Sequence, residues 1–400
     1  MKHNVQFSSK KAFHLLVLLI WVQSLLLNYI RAFITHISII GLFPDLIINF
    51  VFMLLIVLSL REIKLCKFDF IFYLSIAVIF LLQWIFYKEN AIYIEEYTVT
   101  FLFQIVILYF LGLNLGNSDD RDFIIHHLYI ASSITLIATM GYQFIFADPM
   151  ETATSVYVGN MDLAYKLLPH CCFIAYYAIK NTSIYNLILT VVGGFYLLML
   201  GTRGAALIYL TLITVLIIMG KKSKWLIARS VLIFAGIAAF ISSSWYDSAI
   251  LWFYQKAQQL GLSIRIFDKL LAGEVTNSSG RDLIREKLFA AIKESPFLGN
   301  GLYADRIIAN SYAHNIAIEL WVEFGIAIGS IILFAIIAVL FKGYLSADSD
   351  EVKGLVLVLI FSCFLKLFLS SSYLDERLLF FLLGLCVANI RKCKSIKKVI

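Results

Sequence analysis

The sequence predicts an all-α polytopic membrane protein of about 12 transmembrane helices, with one large external loop that contains short helices. Three observations carry that prediction. Of the 400 residues, 61% are hydrophobic and 15% charged, whereas soluble domains sit near half apolar and about a quarter charged. Apolar runs long enough to cross a bilayer recur along the chain, separated by short polar loops. Lys and Arg gather in alternate loops, the bias that marks the cytoplasmic side.

The chain opens MKHNVQFSSKK, which is basic. The apolar run that follows is too long for a signal-peptide core and lacks a small-residue cleavage site, so it reads as an uncleaved first helix. Spans are expected near 12–30, 42–60, 69–87, 98–116, 123–146, 163–180, 184–201, 204–220, 225–246, 314–341, 353–370 and 376–391. Lys10 and Lys11 precede the first. Arg61, Lys64 and Lys67 follow the second, and Lys221, Lys222 and Lys224 follow the eighth. Arg391, Lys392, Lys394, Lys397 and Lys398 close the chain. The loops between, such as KENAIYIEEY at 88–97, are poor in Lys and Arg, which places both termini in the cytoplasm. The expected organisation is a bundle of nine spans over 1–246, a large external loop over 247–312, and spans ten to twelve with a basic tail over 313–400. The six cysteines show neither a disulfide framework nor zinc spacing, and Cys171–Cys172 reads as membrane packing.

The long loop has structure of its own. Ser279, with Asp282 three residues on, makes a capping-box-like start. Ile284, Leu288, Ala291 and Ile292 follow at helical spacing, and Pro296 with Gly299 and Gly301 ends the helix in a turn. A short amphipathic helix against the membrane surface or the bundle is expected. Arg281 and Arg285, four residues apart, share its first-turn face.

Polar groups at membrane depth need a reason, because a charge there costs about 3 kcal/mol on insertion scales. Arg203, in GTRGA at 201–205, joins two spans with almost no loop. It is either functional or an arginine reaching the outer headgroups. His314–Asn315 sits where the loop re-enters the membrane, as a general base or as an interfacial histidine bonded to a carbonyl. Gly325 and Gly329 form G-x-x-x-G, a helix-packing signal. Asp162, Lys166 and His170 fall on one face of the sixth span beside Pro169, as a substrate contact or as a pair that neutralises itself. Lys366, Asp375, Glu376 and Arg377 are weaker candidates. Residues 247–312 hold eight basic and seven acidic side chains, a net of +1, which excludes bulk attraction to nucleic acid. Individually placed arginines fit a discrete anion instead, since the guanidinium fork binds phosphate in a bidentate way. At the outer edge of a membrane, a lipid-linked pyrophosphate is such an anion.

G-T-R-G in mid-chain, S-G-R in a long external loop, a helix ending P-F-L-G-N-G and then H-N before a glycine-bearing span together resemble the O-antigen polymerase and O-antigen ligase superfamily. VGNMDLA at 158–164 resembles that family's Asn-containing segment, although Met161–Asp162 replaces the usual proline–asparagine pair. The resemblance implies a GT-C-like membrane glycosyltransferase in the inner membrane with its site facing outward. The implied donor and acceptor are polyprenyl-pyrophosphate-linked glycans, with membrane lipid and a chain-length regulator as further partners, and no cofactor, metal or nucleotide sugar. It implies Arg203 and Arg281 on the pyrophosphate and His314 at the reacting centre. Read from their own positions, Arg285 beside Arg281, Asn315 beside His314, Asn160 in the VGNMDLA segment, and Asp162, Lys166 and His170 on their shared face are expected as substrate contacts. A polymerase, a ligase delivering polymer to lipid A-core, and a secondary transporter or flippase are the three functions these features leave open, the polymerase first.

Overall fold

The computed structural model of the protein describes residues 2–36, 43–146, 155–181, 183–200, 202–219, 251–252, 255–256 and 281–399, with backbone alone at 2–8, 27–36, 43–49, 142–146, 155–160, 199, 203 and 394–399. Among these residues there are helices and no strand. The helices are α1 Lys2–His36, α2 Phe43–Ser59, α3 Lys67–Phe86, α4 Ala91–Thr100, α5 Ile107–Asn117, α6 Arg121–Phe146 and α7 Ser155–Asn181. They continue with α8 Ile184–Met199, α9 Arg203–Met219, α10 Arg281–Glu294, α11 Ala304–Ala309, α12 Ile316–Leu345, α13 Asp350–Leu359 and α14 Arg377–Val399.

Five helical stretches are long and apolar enough to cross a membrane: Ser9–Leu26, Lys67–Phe86, Lys88–Asn117, Arg121–Gly141 and Ile316–Leu345. They coincide with five of the expected spans. Near 42–60, 184–201 and 204–220 the chain forms shorter apolar helices, Phe50–Ser59, Ile184–Leu198 and Gly204–Met219. The expected span 163–180 lies within α7, which begins earlier because its polar start SVYVGNMD is helical too. The expected span 353–370 is divided into α13, a π-helical turn Ile360–Phe364 and a 3-10 turn Leu365–Phe368. The run 225–246 lies outside the described residues, as do Ser279 and most of the loop before Arg281.

The chain divides into two compact units. One comprises Met1–Val17, Phe52–His126 and Ser278–Ile400. Its centre is the pairing of α5 with α14, where backbone meets backbone. A Cβ on Gly112 would stand 1.9 Å from the carbonyl oxygen of Phe381, and one on Gly384 would stand 1.9 Å from that of Tyr109. Small residues allow such contact between membrane helices, where dispersion rather than water drives association. Below this seam Asp69, 1% exposed, is bound by both terminal nitrogens of Arg391 at 2.7 and 3.0 Å. Above it, Phe80, Phe101, Tyr109, Tyr303, Leu374 and Phe380 close an aromatic core.

The other unit comprises Leu18–Val51 and His127–Asn277. Within it α7, α8 and α9 pack together, and polar side chains satisfy one another. Trp21 Nε1 donates to Ser132 Oγ at 2.8 Å, and His170 Nδ1 lies 3.2 Å from the same oxygen. The Tyr129 hydroxyl meets Asn186 Oδ1 at 2.5 Å, and the Tyr209 hydroxyl donates to the Thr190 carbonyl at 2.7 Å.

The G-x-x-x-G of 325 and 329 serves a different purpose from the helix-to-helix packing its spacing predicts. Gly325 has φ 77° and ψ 166°, so α12 is two helices joined at a break rather than one continuous span. Only glycine adopts that backbone without strain. The break lets the preceding turn Pro296–Gly301 pair with the chain. Ile326 N donates to Pro296 O at 2.8 Å, Asn300 N to Val322 O at 2.7 Å and Gly301 N to Glu323 O at 3.0 Å. Residues 316–324 are thereby separated from the long apolar rod that follows.

Candidate functional site

The candidate site is built on the first unit, where α10, the loop 310–315, the start of α12 and the turn 369–376 meet. α10 forms as expected. Leu288, Ala291 and Ile292 are buried, and with Ile284 beside them they pack on Ala304, Ala313, Ile318 and Val322. The apolar stripe therefore faces protein, and Arg281 and Arg285 ride on the first turn above it. Arg281 donates from one terminal nitrogen to the carbonyl of Leu369 at 2.8 Å. That bond uses one of the five N–H donors of its fork. Arg285 lies 3.7 Å from Asp282 and is 44% exposed, a weak surface pair by geometry.

His314 has φ 56°, in the left-handed region that a residue with a Cβ seldom adopts. Its ring lies 3.9 Å from that of Tyr312, centroid to centroid. The loop is pinned on its N-terminal side by Asp305, fully buried, whose carboxylate accepts from Ala313 N at 2.8 Å. Asn315 pins it on the other side. Its Oδ1 accepts from Ala317 N at 3.0 Å and Ile318 N at 3.3 Å, capping α12, and its Nδ2 donates to Phe368 O at 3.1 Å. The Asn315 amide is thus occupied by protein, and its part is to hold the loop. The Nδ1 of His314 is buried, and among the described residues it has no hydrogen-bond partner. Burial first, and then the charges of Arg281 and Arg285, push the imidazole down to about 4. With Nδ1 closed off, a substrate proton could reach the neutral ring only at its other nitrogen, Nε2.

A buried carboxyl network lies directly beneath, and sequence reasoning missed it. Asp305, Glu319 and Glu323 are each 0% exposed. Arg306 bonds Asp305 at 3.4 Å and Asp375 at 3.0 Å. Burial opposes the Arg306 charge, but Asp305 and Asp375 hold its pKa above the ordinary value. Burial raises the pKa of Asp305, and the neighbouring Arg306 offsets part of that rise. Glu323 accepts from Tyr303 N at 2.9 Å and from the Tyr373 hydroxyl at 2.5 Å. Glu319 accepts from the Ser372 hydroxyl and from Tyr373 N. The signal was present in NIAIELWVEFG. Two acids four residues apart in an apolar segment share a face and are functional candidates by default.

The structure therefore brings together Arg281, Arg285, His314 and Asn315. Arg203 opens α9 in the other unit, with its side chain outside the described residues, as is that of Asn160 in α7. In that same unit Lys166 lies 2.5 Å from Asp162. His170, 1% exposed, is held by Ser132 and by the edge of Trp21, 5.5 Å between centroids, in the manner of a packed interior histidine. Lys366 and Glu376 form a pair in the first unit, 12% and 9% exposed. Residues 188–334 match the family described as O-antigen ligase. The matched stretch contains Arg203, Arg281, Arg285, Asp305, His314, Asn315, Glu319 and Glu323, and stops short of residues 368–377. No curated protein matches the chain.

Proposed function

We propose, on the premise that residues 188–334 belong to the O-antigen polymerase and ligase superfamily, that the chain is a membrane glycosyltransferase joining polyprenyl-pyrophosphate-linked repeat units into a surface polysaccharide. The observation that carries this reading is the placement of His314, partly exposed on a left-handed loop and close enough to Arg281 and Arg285 to feel their charge. In the reaction, an acceptor sugar hydroxyl attacks the anomeric carbon of the donor from the face opposite the pyrophosphate. The new C–O bond forms as the bond to the pyrophosphate oxygen breaks, and the configuration inverts. His314 accepts the hydroxyl proton. Arg281, with Arg285 beside it, neutralises the charge that collects on the departing polyprenyl pyrophosphate, an electrostatic effect of about 3 kcal/mol per donor. Arg203 is a second pyrophosphate arginine by family resemblance, tested by its own substitution. In this reading the chain has twelve spans in a GT-C-like arrangement, cytoplasmic termini and an outward-facing site. The alternation of basic loops supports it.

The family's description favours a second reading, a ligase that passes finished polymer from its lipid carrier to lipid A-core. Both readings use the same donor site and differ in acceptor. Purified protein given a defined lipid-linked repeat separates them. A ladder of products supports the polymerase. Transfer that occurs only when lipid A-core is supplied supports the ligase. Arg281→Ala should lower either rate by about 100- to 1000-fold while the protein remains inserted, and an unchanged product pattern in that variant overturns the assignment.

A further inference from the structure

We infer that Glu319 is a positioning residue for Arg281, acting through the serine turn 369–373. The inference rests on the reading that Arg281 holds the pyrophosphate. The turn is one the chain does not favour locally. It follows the 3-10 turn Leu365–Phe368, and Ser371 stands at φ 71°, in the left-handed region. Conformations of that kind persist only where surrounding contacts over-determine them. Four hydrogen bonds to the cap and first turns of α12 do so. Asn315 Nδ2 donates to Phe368 O at 3.1 Å, at the head of the turn. At its tail the Ser372 hydroxyl and Tyr373 N donate to the two oxygens of Glu319. The Tyr373 hydroxyl donates to Glu323 at 2.5 Å. Between head and tail lies the Leu369 carbonyl, the acceptor that fixes the Arg281 guanidinium at 2.8 Å.

The asymmetry of the network identifies Glu319 as the critical member. Glu323 is shared between Tyr373 and Tyr303. Both oxygens of Glu319 are committed to the serine turn, and its side chain is fully buried. Hydrogen bonds buried away from water weigh more than exposed ones. Removing Glu319 leaves the buried Ser372 hydroxyl and the part-buried Tyr373 N without these acceptors, a costly outcome, and frees a turn already held in a disfavoured backbone. A displacement of about 1 Å at the Leu369 carbonyl moves the guanidinium by a similar amount, enough for a large loss of function at a site built on geometry. The family match ends at residue 334, so it does not reach the turn through which Glu319 acts.

The test is a double-mutant cycle read by inorganic pyrophosphate binding to the full-length protein in detergent, followed by calorimetry. Glu319→Ala should weaken binding about tenfold, the loss expected when hydrogen-bond donors lose their acceptors. Glu319→Gln, which keeps an acceptor of the same shape, should stay within about threefold of the original protein. Arg281→Ala should weaken binding by at least as much as Glu319→Ala. The double variant Arg281→Ala/Glu319→Ala should bind no more weakly than Arg281→Ala alone, because Glu319 acts only through that side chain. If Glu319→Ala does not fold, Ser372→Ala takes its place in the cycle, with a smaller loss that also vanishes in the Arg281→Ala background. Tight binding retained by Glu319→Ala while Arg281→Ala loses it overturns the inference and leaves the role of Arg281 standing. A full additional loss in the double variant overturns it as well, since Glu319 is then a general support of the fold. Equal binding by the unsubstituted protein and Arg281→Ala overturns the anion role of Arg281 and the inference with it.

Discussion

If His314 accepts the acceptor hydroxyl's proton, kcat/KM follows the fraction of free enzyme in which that ring is neutral. An ordinary imidazole titrates near 6.5, and at pH 5.5 only about 10% of it is neutral. Burial and the Arg281 and Arg285 charges push His314 down to about 4, so at pH 5.5 about 97% of it is neutral. The rate should therefore be flat from pH 8 to about 5 and fall roughly tenfold per pH step only below about 4. Arg285→Gln removes the smaller of the two charges and should move the falling limb upward only slightly, because burial, the largest cause, stays. The assay is extension of a lipid-linked repeat by protein in liposomes, with initial rates at subsaturating donor. A limb at 6.5 in the unsubstituted protein refutes His314 as the base in this electrostatic setting. The sign for stability is the same. Between about 6.5 and 4 the unfolded chain takes up a proton that the folded chain refuses, so the fold loses stability as pH falls through that window.

Two further perturbations test the architecture. Gly325→Ala forces a Cβ onto a backbone at φ 77° and within 2.3 Å of the Phe297 carbonyl oxygen, so it should lower the melting temperature sharply, and an unchanged melt contradicts the break in α12. Lys366→Met leaves the nearly buried Glu376 without its partner and should destabilise by about 3–5 kcal/mol, read by denaturant or thermal melts. Adding Glu376→Leu to Lys366→Met should restore most of that loss.

Composition made the membrane class plain, because grease is a property of the whole chain and survives errors at any boundary. The amphipathic helix after Arg281 was legible for the same reason: a stripe at 284, 288, 291 and 292 is a periodic signal. Its end at Pro296 was legible because proline breaks helices locally. The break at Gly325 was not, since it depends on the turn Pro296–Gly301 folding back onto it, about thirty residues upstream, and a glycine pair four apart reads equally as packing. Among the candidate residues, Arg281 and His314 announced themselves as polar groups at an interface. Asn315 was visible, but its use as a cap and clamp was not, because capping needs the neighbour Phe368 as well as the helix start. Glu319 and Glu323 were overlooked because a carboxylate in an apolar helix stands out less than an arginine at a loop. Their partners, Ser372 and Tyr373, lie roughly fifty residues away in sequence.

The carbonyl that seats Arg281 lies 88 residues downstream of it. A ribosome that has just delivered the arginine has not yet made its anchor. The growing chain must complete α12 and α13 and begin the approach to α14 before the guanidinium has anywhere to rest. Protein truncated before residue 369 lacks both that carbonyl and α14, the helix that packs on α5, so it should neither seat Arg281 nor close the core of the first unit.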